Sequence, residues 1–229
     1  NNSNFFDGES PLKESNNIYL ENTTFGWKYP LWYCKNVEGK NVILFDDARS
    51  GIWYTSNITL EDSVINAPKS FRRASDITLK NTTLLNAEET MWTCKNINLE
   101  NVTIKGDYFA KDSEKIMATN MELTGNYAFD GARDIKITDS KIISKDAFWN
   151  AENVTIKNST IIGEYIAWNA KNLTLEDCYI QSEQGFCYLE NLVIKNSKIL
   201  DTNLAFEYST IDVESTTEID SIKNPTSGI

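Results

Sequence analysis

Histidine is absent from this sequence, and its absence removes serine and cysteine triads, histidine-assisted glycosidases and most zinc sites in one step. No run of about 18 apolar residues occurs, so no segment reads as a transmembrane helix. The 22 basic residues are outnumbered by 33 acidic ones. A net charge of −11 excludes general affinity for nucleic acid or anionic lipid, which need clustered Lys and Arg. The start, Asn1-Asn2-Ser3-Asn4-Phe5-Phe6, lacks the basic segment and apolar run of a signal peptide, as a processed secreted chain would too.

What the chain has in abundance is one phrase, aliphatic-x-aliphatic-x-Asn/Asp-small-x-aliphatic. It opens at Ile18, Val37, Ile58, Ile77, Ile97, Ile116, Ile135, Val154, Leu173, Leu192 and Ile211, with gaps of 19, 21, 19 and 20 and then 19 six times. A period of this length marks a solenoid, in which each repeat buries its apolar face by stacking on its neighbours. Within Asn153-Val154-Thr155-Ile156-Lys157-Asn158-Ser159-Thr160-Ile161 the alternation is that of strands. Three short strands in 19 residues, the third holding Phe148 and Ala151 inward, leave no room for a helix.

These features predict an all-β chain: a right-handed parallel β-helix of about 11 coils, the hand following the rule for parallel crossovers. Residues 17–218 form the repeats, 1–16 an N-terminal cap or partial coil in which Phe6 fills the last inward slot, and 219–229 a C-terminal cap or tail.

Each rank of the repeat carries its own chemistry. Two residues after the opener stand Leu20, Gly39, Leu60, Leu79, Leu99, Ala118, Ile137, Ile156, Leu175, Ile194 and Val213, with no polar side chain, as a core requires. Three after it, Glu21, Lys40, Glu61, Lys80 and Glu100 alternate in sign and predict cross-strand pairs of about 0.2–1 kcal/mol each. Four after it stands Asn or Asp in ten of eleven repeats, suited to left-handed corners and coil-to-coil amide hydrogen bonds. Several head N-x-S/T sequons, such as Asn22-Thr23-Thr24 and Asn158-Ser159-Thr160. A fold that turns them inward takes them out of reach of glycosylation.

Cys34 and Cys94 share a slot three coils apart, about 14 Å at strand spacing, beyond disulfide reach. Cys178 and Cys187 fall in other rows. The four cysteines form no disulfide framework, so a reducing, cytoplasmic compartment is expected, with export left to a removed signal peptide.

Five of the six tryptophans stand five residues before the opener: Trp32, Trp53, Trp92, Trp149 and Trp168. The full row is Lys13, Trp32, Trp53, Arg72, Trp92, Lys111, Asp130, Trp149, Trp168, Cys187 and Phe206, and its charged members predict that it faces outward. The next row adds Tyr33, Tyr54, Arg73, Asp112, Asn150, Asn169 and Tyr188. Such a stripe suits sugar rings, with Trp32, Tyr33, Trp53, Tyr54, Trp92, Trp149 and Trp168 as stacking surfaces and Arg72 and Arg73 among the charges that orient a ligand. Aromatics also stack along solenoids simply to shield a strand face.

Catalytic candidates are Lys111, Asp112 and Asp130, which would serve proton abstraction or hydrolysis on an acidic glycan. The connecting turns, such as Lys105-Gly106-Asp107, are too short to wall a cleft, which favours a non-enzymatic module. No metal or other cofactor is called for. The expected function is carbohydrate recognition or surface interaction through the Trp/Tyr stripe. A polysaccharide lyase or glycoside hydrolase and a scaffold without a ligand site are the alternatives, and the oligomeric state stays open.

Through Pro30-Leu31-Trp32-Tyr33-Cys34, Gly51-Ile52-Trp53-Tyr54, Ala147-Phe148-Trp149, Ala205-Phe206-Glu207-Tyr208 and Lys223-Asn224-Pro225, the chain resembles the pectin-lyase-like superfamily of right-handed β-helices. Within it, the chain is most similar to a bacterial domain family of unknown function. The resemblance covers nearly the whole chain and implies the fold. It transfers no catalytic residue, because the Gly-His-Gly element of polygalacturonase-like members, the Arg-Ile-Lys element and the calcium-binding Asp cluster have no counterpart here.

Overall fold

The computed structural model describes residues 2–229. Every strand pairs in parallel, and the openers stack in one file: Ile18 on Val37, then Ile58, Ile77, Ile97, Ile116, Ile135, Val154, Leu173, Leu192 and Ile211. The result is a parallel β-helix of about 12 turns. The turn beyond the eleven repeats comes from Asn4–Phe5, which pairs with Thr24 and Phe25. There Phe5, not Phe6, enters the inner column and stacks on Phe25 at 5.0 Å. Phe6 is exposed and rests on Phe45. At the other end Ser227–Gly228 pairs with Thr210 and Ile211. The sole helical element among the described residues is the short 3-10 turn Asp46–Ala48, and none is long and apolar enough to cross a membrane.

Two sides of each turn are strand, bent at the Asn/Asp corner. Strand Lys95–Lys105, for example, runs through both sides and carries Asn101 at φ 54° in the bend. The corner side chains are exposed, not turned inward as expected, and they ladder along the outside of the rod. Each amide donates to the turn before: Asn81 to Asp62 (3.0 Å), Asn101 to Asn81 (3.0 Å) and Asn120 to Asn101 (2.7 Å). An Asp has no amide hydrogen to pass on, so the ladder restarts at Asp139 and Asp177, which accept from Asn158 and Asn196. It is the next residue that points inward. Thr23, Ser63, Thr82, Ser159 and Ser197 are buried, and Ser63 accepts the Val42 N–H at 3.0 Å. A second ladder escaped the sequence reading: Asn57 to Asn36 to Asn17, one residue before the openers and also left-handed.

The third side is not a strand. Leu31, Ile52, Phe71, Met91, Ala110, Phe129, Phe148, Ala167, Phe186 and Phe206 point inward with φ between 57° and 68°. That conformation costs an L-residue about 1–2 kcal/mol. It persists because it lets neighbouring residues hydrogen-bond in opposite directions along the rod. Phe129 N–H donates back to Phe109 O, while Tyr127 and Gly131 donate forward to Lys145 O and Trp149 O, all at 2.8 Å. The adjoining corner is tight enough that a Cβ on Gly125 (φ +155°) would lie 2.0 Å from the Gly106 carbonyl oxygen.

The sign-alternating rank pairs as its order requires, with Lys40–Glu61 at 3.9 Å, Lys80–Glu100 at 3.7 Å and Lys157–Glu176 at 2.6 Å. All four cysteines are free and buried, and burial pushes the Cys94 thiol up to about 12. They pack as small apolar groups.

Candidate functional site

All five tryptophans of the row lie on one outer side of the rod, on the turns that form its third face, and each is half-buried. The last member of the row differs from the expectation. Asn169 N donates to Cys187 O and Tyr188 N to Glu207 O, which places Glu207 in the row. Phe206 belongs to the inner column, stacked on Phe186 at 6.0 Å and fully buried. The following corner is one residue shorter than its neighbours and restores the register by Ile211.

The row divides into two unlike halves. In the first, the rings cover one another. Trp32 and Trp53 stack at 5.2 Å and 8°, Tyr29 packs on Trp32 at a tilt with centroids 5.0 Å apart, and Arg72 is wedged between Trp53 and Trp92, 5.1 and 4.5 Å from their ring centroids. Arg72 also donates to Glu89 at 2.6 Å. The three indole N–H groups are committed to the next turn's backbone: Trp32 to Ser50 O (2.5 Å), Trp53 to Lys69 O (2.7 Å) and Trp92 to Tyr108 O (2.7 Å). Tyr33 and Tyr54 stack at 4.6 Å, with Arg73 over Tyr54 at 5.9 Å. The ring faces expected as a platform at Trp32 and Trp53 are therefore engaged by neighbouring side chains of the protein itself.

In the middle, Lys111 forms a short ion pair with Asp130, which also accepts from Asn150 at 3.3 Å. Burial works against the Lys111 charge, but the Asp130 carboxylate outweighs it and holds the ammonium pKa above its ordinary value. Asp112 lies close over Gly131, where an added Cβ would meet its carboxylate at 2.3 Å. The three catalytic candidates are thus brought to neighbouring turns, with the lysine held in its charged form.

The second half is open. Trp149 leans on Tyr127 of the preceding turn at 6.3 Å, and Trp168 contacts Tyr165 and Tyr188 at 5.9 and 5.0 Å. Among the described residues no ring contact joins Trp149 to Trp168, and neither indole N–H has an acceptor within the chain. Between them lies a cavity of about 470 Å³ lined by Tyr127, Lys145, Asp146, Trp149, Tyr165, Trp168 and Gln184. Sequence reasoning missed Tyr127, Tyr165 and Asp146. A signal was present: Tyr29, Tyr108, Tyr127 and Tyr165 each stand three residues before a member of the row.

A larger concavity of about 540 Å³ lies on the outer face of the opener sheet, near Thr78, Asn98, Met117 and Lys136. No ring lines it, and its Asn57, Asn96 and Asp134 are tied into the second amide ladder.

With this geometry established, a family model described as "Protein of unknown function (DUF3737)" matches residues 1–229. The chain belongs to the DUF3737 family. No curated protein matches it. Among solved structures, this DUF3737 chain is similar to the surface adhesin PfbA of Streptococcus pneumoniae, at 11% identity over 87% of this chain and 70% of that one, TM-score 0.48. It is similar also to the A-module of the mannuronan C-5 epimerase AlgE4 of Azotobacter vinelandii, at 12% identity over 91% and 74%, TM-score 0.40. Both likenesses concern the course of the chain alone.

Asp146 lines this cavity of the DUF3737 chain beside Lys145. Burial raises its pKa above the ordinary carboxylate value, Lys145 offsets part of that rise, and Glu164 adds to it. The folded chain therefore holds this proton to higher pH than the unfolded chain does. Stability therefore falls as the pH rises from the unfolded-state value to the folded-state value, and the loss is complete above the latter. Asp146→Asn should have a higher Tm than wild type at about pH 8. The gap should close as the pH falls below the unfolded carboxylate value of about 3.9. Thermal unfolding of both proteins at the two pH values checks this, and a variant less stable than wild type at pH 8 contradicts it.

Proposed function

We propose that this chain is a non-enzymatic glycan-recognition module that binds its ligand in the cleft between Trp149 and Trp168. One observation carries the reading: three tryptophans of the row have their N–H groups and ring faces engaged within the chain, while among the described residues the N–H groups of Trp149 and Trp168, on an open cavity, have no acceptor. A sugar ring presents an apolar C–H face and a rim of hydroxyls. The rings of Trp149 and Trp168 suit the first, and Asp146, Gln184 and the two indole donors suit the second.

The enzymatic reading at Lys111, Asp112 and Asp130 has less support. A base must be able to lose its proton, and Asp130 stabilises the charged form of Lys111. The test is titration with a panel of oligosaccharides followed by intrinsic tryptophan fluorescence. A saturable change with a subset of the panel, lost in Trp168→Ala, is the expected result. No response to any member favours a scaffold without a ligand site.

A further inference from the structure

The cleft contains a group that a neutral sugar leaves without a matching charge. Asp146 is only 6% exposed and lines the cavity, yet among the described residues no group donates a hydrogen bond to its carboxylate. The adjacent cation is turned elsewhere: Lys145 pairs with Glu164 at 3.3 Å and lies over the Tyr165 ring at 5.3 Å. A carboxylate in so little-exposed a residue, reaching solvent only through the cavity, loses part of its hydration, and a ligand that brings the missing charge recovers that cost. The rings around it favour the same kind of ligand, since aromatic faces attract cations, and Lys145 over Tyr165 already places one on a ring of this cleft. The chain's net charge of −11 draws cations toward it.

Resting on the glycan reading above, we propose that the cleft selects a glycan bearing a protonated amine, the free ammonium of an amino sugar, with Asp146 as the specificity-determining residue. The ammonium donates to the Asp146 carboxylate between the indoles of Trp149 and Trp168, while the C–H face of the sugar packs on the ring walls. Acylation of the nitrogen removes the charge. A hydroxyl in the same place offers a hydrogen bond but no opposing charge, and is weaker than an ammonium–carboxylate pair.

Calorimetric titration of the full chain at about 0.15 M salt, which screens the general field of the protein, separates the outcomes. The ligands are β-1,4-linked tetramers of glucosamine, N-acetylglucosamine and glucose, with tetralysine as a non-sugar ammonium. The glucosamine tetramer should bind wild type about tenfold or more tightly than the glucose tetramer. That preference should vanish in Asp146→Asn. Equal affinities in wild type, or a preference that survives in Asp146→Asn, overturn this inference and leave the glycan reading standing. Tetralysine binding as tightly as the glucosamine tetramer overturns the amino-sugar assignment, and binding of none of the four removes the glycan reading with it.

Discussion

Phe129→Ala should lower the unfolding free energy by about 3–5 kcal/mol, the range for a large aromatic removed from a close-packed interior. Phe129 is fully buried, stacks on Phe148 at 5.1 Å and 4°, and meets Phe109 edge-on at 5.8 Å. No side chain from elsewhere can fill the gap, because the inner column is fixed by hydrogen bonds from turn to turn. A solenoid couples each turn only to its neighbours, so a defect near the middle of the rod also weakens communication between its halves. The urea transition followed by circular dichroism should therefore move to lower denaturant and broaden. Tyr19→Ala, at an exposed site on the opener sheet, should shift the midpoint little. A Phe129→Ala loss below about 1 kcal/mol would mean that the interior is less tightly packed than described here.

Trp168→Ala and Trp53→Ala should separate ligand binding from stability although the two residues share one row. Trp168 forms a wall of the open cavity, and among the described residues its N–H has no acceptor. Its loss should weaken glycan binding about 30-fold or more, as for an aromatic anchor worth 2 kcal/mol or more, with a small change in stability. Trp53 stacks on Trp32, carries Arg72 on its other side and donates to Lys69 O at 2.7 Å. Its removal should cost about 1–3 kcal/mol of stability and leave glycan affinity unchanged. Paired denaturation and binding titrations on both variants check this. Equal loss of binding in both would return the site to the whole row.

The opener file, the inner aliphatic ranks and the charge-alternating rank were legible in the sequence because residue type and side-chain direction are coupled in a strand. The third side was not. Leu31, Ile52 and Phe129 adopt left-handed backbone, which residue identity normally reserves for Gly, Asn and Asp, and only the stacking of turns makes it tolerable. The Asn corners were legible as ladders, but their outward direction depends on that same bend. Phe206 was misplaced because counting back from Ile211 assumes equal corners, and the last corner is one residue short. Of the site, the sequence showed the row of indoles but not its division. Trp53 and Trp149 are the same residue in the same slot, and what separates them is the neighbours each ring meets, Trp32 and Arg72 in one case and Tyr127 in the other.

The indole N–H resonances of the tryptophans report directly on the division of the row into a closed and an open half. In a 15N-correlated NMR spectrum assigned by Trp→Phe substitutions, Trp32, Trp53 and Trp92 should exchange slowly with solvent, as donors to backbone carbonyls. Trp149 and Trp168 should exchange fast and should be the two that shift when a bound oligosaccharide is added. Uniform exchange across the five, or ligand shifts centred on Trp32 and Trp53, would contradict the account.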